Sequence, residues 1–172
     1  MKGRELVADV GVGMVGGYVG TQAMERVSMK LYELESEEAR RQEDEARPGD
    51  PFIVAARKTT RALGLELSEE QVQNVGMYVF HYGLGLGWGS IYTFLRRWTE
   101  LGPIQAGLLT GAVQSLLVDE GLTPLLGFSA PNRDYPLVTH LRGVVAHLAY
   151  GLGIAATAET LYWLGRNGGT RR

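Results

Sequence analysis

Six ionisable residues stand on or beside apolar stretches of this chain: Glu25, His81, Asp119, Glu120, His147 and Glu159. A charged side chain at the centre of a bilayer costs at least about 2.5–3.5 kcal/mol, so such groups pair, face a wet cavity or carry ions. Histidine titrates near neutrality, and imidazole together with carboxylate can also hold a divalent metal. The sharper expectation is that His81 and His147 meet near the centre of a helical bundle, with Glu25 and Glu159 as partners. Such a cluster would relay protons or hold a cation. The plainer expectation is that each histidine hydrogen-bonds a neighbouring helix and only locks its packing. No metal site, cofactor or catalytic residue is assigned. The sequence has no H-E-x-x-H, G-x-S-x-G or P-loop, and the run from Gly83 to Gly89 sits inside a helical stretch rather than after a strand.

These residues need helices to position them. Residues 72–95, VQNVGMYVFHYGLGLGWGSIYTFL, contain no Asp, Glu, Lys or Arg. Crossing a bilayer takes about 20 mostly apolar residues of helix. Interior glycines each cost about 1 kcal/mol against alanine in a helix in water, whereas in a membrane small residues let helix backbones approach closely. The expected packing glycines are Gly13, Gly16, Gly17, Gly20, Gly83, Gly85, Gly87, Gly107, Gly111, Gly151 and Gly153. Gly13/Gly17 and Gly16/Gly20 are both G-x-x-x-G pairs, and Gly107/Gly111 repeats the spacing.

The expected fold class is all-α: a four-span transmembrane bundle in a single domain over 1–172, with spans near 6–32, 72–95, 103–120 and 138–164. A charged helical insertion, 33–70, separates the first two spans. Within it, Glu37/Arg41 and Glu43/Arg47 have the favourable i, i+4 order, and the run reads as a solvated face. Asp50-Pro51 reads as an N-cap with proline at the first helical position. The helix it opens suits either a membrane surface or a packed core. Ser68 to Gln71 forms a capping box that starts the glycine-rich helix. The third span has only some fifteen uncharged residues, roughly 22 Å of helix. It either continues past Asp119 and Glu120 or breaks near Gly121 and Pro124. Asp9, Glu25 and Arg26 read as interfacial charges, and Arg96, Arg97 and Trp98 as an anchor.

His81-x-x-x-Gly-Leu-Gly and His147-x-x-x-Gly-Leu-Gly share one pattern, which suggests two related helix pairs. Basic residues then place both termini in the cytoplasm: Lys2, Arg4, Arg96, Arg97, Arg166, Arg171 and Arg172. The N-terminal stretch reads as a retained helix rather than a signal peptide.

Composition excludes several classes. The net charge of -2 lacks the basic footprint of a duplex-DNA binder, so no nucleic-acid partner is expected. With no cysteine, disulfides and thiolate metal sites are impossible.

In GLLTGAVQSLLVDEGLTPLLGFSAP, residues 107–131, followed by a polar loop and a histidine-bearing helix, the chain resembles the YagU-type bacterial inner-membrane family. The resemblance implies a four-span inner-membrane fold, a link to acid tolerance and little chemistry. The charged stretch 33–50 and the Asp119-Glu120 pair depart from the family's pattern. The expected function is that of a non-enzymatic, multi-pass inner-membrane protein, a stress-related component or an accessory subunit of a larger membrane assembly. Its expected partners are the lipid bilayer and either further copies of itself or that assembly. The alternatives are a small transporter, channel or proton-handling protein that uses the His/Glu cluster, and a soluble helical bundle.

Overall fold

Glycines four residues apart set how closely the helices of this protein lie. The computed structural model describes residues 3–168, and every regular element among them is helical. Lys2, Arg171 and Arg172 lie outside the described residues. Helix α1 spans Gly3–Glu33. Helix α2, Glu37–Ala46, is capped by the Ser36 hydroxyl, which accepts from the Ala39 N–H. Helix α3, Pro51–Ala62, opens as expected: the Asp50 carboxylate accepts from the Phe52 and Ile53 N–H groups ahead of the N1 proline.

Helix α4 runs continuously over 69–98 behind the expected Ser68/Gln71 capping box. It is α-helical over Glu69–Asn74, π-helical over Val75–Tyr82 and α-helical again over Gly83–Trp98. Helix α5, 103–125, has the same construction, with a π-helical stretch at Ser115–Leu122. Of the two courses open to it, α5 continues: it passes Gly121, and Pro124 sits in the first turn of the closing α-helical piece. It stops at Gly127, whose φ of +68° is a left-handed conformation that glycine adopts without steric cost. Helix α6 spans Leu137–Gly168.

Helix α1 packs antiparallel to α4 and to α6, and α5 packs antiparallel to α6. A Cβ at Gly13 would fall 2.5 Å from Ser90 Cα, and one at Gly17 would strike the Gly85 carbonyl. A Cβ at Gly20 would lie 2.7 Å from the Tyr150 carbonyl, and Gly16 abuts Ile154. The two offset G-x-x-x-G pairs of α1 therefore serve different neighbours, α4 and α6. Between α5 and α6 a Cβ at Gly107 would lie 2.5 Å from the Gly151 carbonyl, and one at Gly111 would strike the His147 carbonyl. Gly85 and Gly151 are as confined, and a Cβ at Gly153 would lie 3.0 Å from Gly20 Cα.

Gly83 and Gly87 correct the expectation. A Cβ at Gly87 would meet nothing within 4 Å, and one at Gly83 only the Tyr78 carbonyl of its own helix, 3.7 Å away. On α4 the packing stripe runs through Gly85 and Gly89, one turn apart, and residues two positions off it point elsewhere. Gly89 takes the place expected of Gly87, and Gly76 packs on Ile53 of α3.

The insertion also differs from a solvated face. Glu43 is fully buried and Glu35 nearly so. Ala55, Ala56 and Thr60 of α3 are buried too, which answers its two readings in favour of packing. Two of its basic residues bond within the chain: Arg57 pairs with Glu69, and Lys58 donates to the Gly127 carbonyl at 2.7 Å.

Candidate functional site

The end of the bundle that α2 and α3 cover holds a half-open cavity of about 700 Å³. The chain has three histidines, and all of them line it, each beside a carboxylate that lines it as well. His81 Nε2 lies 2.9 Å from Glu25 Oε1. His140 Nδ1 lies 2.8 Å from Glu120 Oε1. His147 Nδ1 lies 3.4 Å from Asp119 Oδ2.

Local helix geometry creates these pairs. His81 stands on the π-helical stretch of α4, and Asp119 and Glu120 on that of α5. Their partners Glu25, His147 and His140 stand on regular α-helix. Each pair thus joins a wide turn to a normal one. Single π-helical turns inside α-helices are frequent at functional sites.

Hydrogen-bond chemistry distinguishes the three pairs. His140 Nε2 lies 3.0 Å from the Asn132 carbonyl, which can only accept, so that nitrogen carries a proton. Its Nδ1 faces the Glu120 carboxylate, so the ring is held from both sides. His147 Nδ1 donates to the Gly143 carbonyl at 2.9 Å, so its bond to Asp119 is weak. The Glu25 carboxylate accepts from Gln22 Nε2 at 3.2 Å as well as facing His81.

A buried ion cluster ties the cover to the bundle. Arg142 Nη1 donates to Glu35 Oε1 at 2.6 Å, and the Tyr32 ring lies 5.1 Å from the guanidinium carbon. Glu43 accepts from Arg142, from Thr139 at 2.9 Å and from Arg47. Burial pushes the Glu43 carboxyl up, but the hydrogen bonds from Arg142 and Thr139 and the charges of Arg142 and Arg47 outweigh it, leaving the carboxyl below its ordinary value.

Of the expected site residues, the structure gathers Glu25, His81, Asp119, Glu120 and His147 around this cavity. His81 and His147 share it, but each has its own acid beside it, and the His147 ring bonds the Gly143 carbonyl. Glu159 does not belong to it. It accepts from Arg96 at 2.9 Å and from the Tyr92 hydroxyl at 3.2 Å. Arg96 lies fifteen residues along α4 from His81, about 20 Å at the rise of a helix. At that far end Asp9 is buried, pairs with Arg97 and accepts from the Tyr162 hydroxyl at 2.9 Å.

Among the described residues no group of three or more His, Cys, Asp or Glu side chains is placed to hold a metal. His140, Arg142, Glu35, Glu43 and Gln114 are not among the site residues expected from the sequence. His140 carried the one usable signal, a histidine on an apolar helix. Comparison of the chain with protein-family models, curated proteins and solved structures finds no match.

Proposed function

We propose that this chain is a four-span protein of a bacterial inner membrane, of the YagU-type arrangement, and that it works without catalysis as a proton-handling protein or small transporter. The observation that carries the reading is the set of three histidine–carboxylate pairs around one cavity. Histidine exchanges a proton between about pH 5 and 8, and a carboxylate beside each ring supplies the acceptor.

Support for the bilayer comes from which side chains face outward. Met14, Val15, Tyr18 and Val19 of α1 are exposed, as are Val113, Leu116 and Leu117 of α5 and Leu141, Val145 and Leu152 of α6. Asp9, Thr21, Thr93, Thr110, Gln114 and Ser115 are buried. Large apolar side chains exposed along three helices, with polar groups buried between them, suit a lipid surface. Exposed Trp98 and Trp163 stand near the same end of the bundle, as interfacial aromatics do. By length and composition one helix among the described residues, Leu137–Asn167, is long and apolar enough to cross a membrane. The glycines of α4 and the charges of α1 lower their apolar character without shortening them. Arg4, Arg96, Arg97 and Arg166 then face the cytoplasm with both termini.

Reconstituted in liposomes under a pH gradient, the protein should pass protons, and His81→Ala, His140→Ala and His147→Ala should each lose most of that flux. Absent flux, or flux unchanged in all three variants, overturns the reading. Clean purification without detergent overturns its membrane part. The same exposed apolar faces favour a second reading, an accessory subunit of a stress-related assembly, which predicts a stoichiometric partner when the protein is isolated from native membranes.

A further inference from the structure

We infer that the cavity binds a small organic cation, a protonated amine on an apolar body, with its ammonium held between Asp119 and Gln114. The inference rests on the reading of this cavity as the working site, and adds the class of its ligand.

Gln114 is the independent observation. It lines the cavity at 3 % exposure, and its Oε1 has no hydrogen-bond partner among the described residues. An amide oxygen buried in this way bears its full desolvation cost unless a donor meets it. Asp119 follows five residues later, across the π-helical stretch that starts at Ser115. A π-helix bonds residue i to i+5, so its wider turn brings residues five apart over one another. Gln114 and Asp119 accordingly line the same cavity.

Asp119 has acceptor capacity to spare. Glu25 and Glu120 lie 2.9 and 2.8 Å from their imidazoles. Asp119 lies 3.4 Å from a nitrogen whose proton goes to the Gly143 carbonyl, and its side chain is 43 % exposed. A carboxylate and an unpartnered amide oxygen on the lining of one cavity offer acceptors and ask for donors. An ammonium brings three donors and no acceptor.

The charge of the lining agrees. Helix α1 contributes Glu25, α2 contributes Glu43 with Arg47 at its C-cap, and α5 contributes Asp119 and Glu120. Helix α6 adds Arg142 together with His140 and His147, α4 adds His81, and α3 adds no charge. Both arginines are bound to Glu43, so with neutral histidines the lining is net negative. Met24, Phe80, Leu84, Val118 and Phe128 give it apolar walls for the body of the ligand. A volume of about 700 Å³ is that of a small-molecule pocket. Protons taken up by the three imidazoles turn the lining positive, so proton uptake and amine binding exclude one another.

Isothermal titration of the full chain in detergent tests this, with phenethylammonium, 3-phenylpropionate and 2-phenylethanol as probes at about pH 8, above the range in which histidine takes up protons. The amine should bind, and the carboxylate should bind at least about tenfold more weakly. Asp119→Asn and Gln114→Leu should each lower amine affinity about tenfold, the worth of one charge-assisted hydrogen bond. Asp119→Glu should restore part of it, and Glu159→Gln, at the far end, should leave it unchanged. Gln114→Leu keeps the side chain's bulk and removes the unmet oxygen, so it folds. At about pH 6 amine affinity should fall. No amine binding, equal binding of phenylpropionate, or wild-type binding by both variants overturns the inference. Proton flux that persists without amine binding overturns the ligand class alone. Amine binding that depends on Asp119, with no flux, supports the ligand and overturns the transport reading.

Discussion

Arg142 of α6 holds Glu43 of α2 with one nitrogen, Nη2, placed 2.7 Å from both carboxylate oxygens. Glu43 is fully buried and Arg142 is 9 % exposed, so water screens this pair little. Through it the charged insertion becomes the cover of the cavity. Arg142→Met should destabilise the fold by about 3–5 kcal/mol, because it leaves Glu35 and part of Glu43 as buried charge without a partner. Chemical unfolding in detergent measures the loss, and a change under about 1 kcal/mol would show the cluster to be ornamental.

The same carboxylate sets an acid-side dependence. Its folded-state value lies below the ordinary 4.5, so the unfolded chain takes up that proton more readily than the folded one. Glu43 therefore contributes stability that is complete above 4.5 and is lost as pH falls through the lowered folded-state value. Stability measured from neutral pH downward should fall below 4.5. Glu43→Gln, less stable at neutral pH, should show a shallower fall. Parallel curves for the two proteins would place the dependence on other groups.

Much of this arrangement could be read in the chain, for identifiable reasons. Caps are local, so Ser68 with Gln71 and Asp50 with Pro51 announced the starts of α4 and α3 within four residues. The G-x-x-x-G pairs of α1 were equally plain, although spacing alone could not tell that they face two different helices. The clamp was not legible, because Glu43 and Arg142 stand 99 residues apart and Glu43 also fits a surface pair with Arg47. Neither π-helical stretch has a residue signature, yet one carries His81 and the other Asp119 and Glu120. Glu159 shares its residue type with the other acids of the expected cluster; α4 runs parallel to α6 and carries Arg96 to it instead.

The two ends of the bundle should respond separately. Asp9→Asn removes the charge that Arg97 and the Tyr162 hydroxyl bind. Arg97 is partly exposed, so screening reduces the effect, and a loss of about 1–3 kcal/mol is expected. Proton flux normalised to folded protein should stay at the wild-type level, since neither Asp9 nor its partners line the cavity. Lost flux in a stably folded Asp9→Asn protein would show that the ends are coupled.

Two alanine substitutions separate packing glycines from the rest. At Gly111 a methyl group would drive into the His147 carbonyl, which is backbone and cannot swing aside. Helices α5 and α6 would have to part, and overpacking of this kind costs about 1–3 kcal/mol. Because His147 lies at that contact, Gly111→Ala should also disturb the Asp119 pair and lower flux. At Gly87 the added methyl meets nothing within 4 Å. There the helix gains what alanine gains over glycine, up to about 1 kcal/mol, so Gly87→Ala should be neutral or stabilising. Unfolding of the two variants side by side decides the matter. Equal losses would mean that α4 packs through both of its glycine rows, and the stripe through Gly85 and Gly89 would no longer account for the approach of α1.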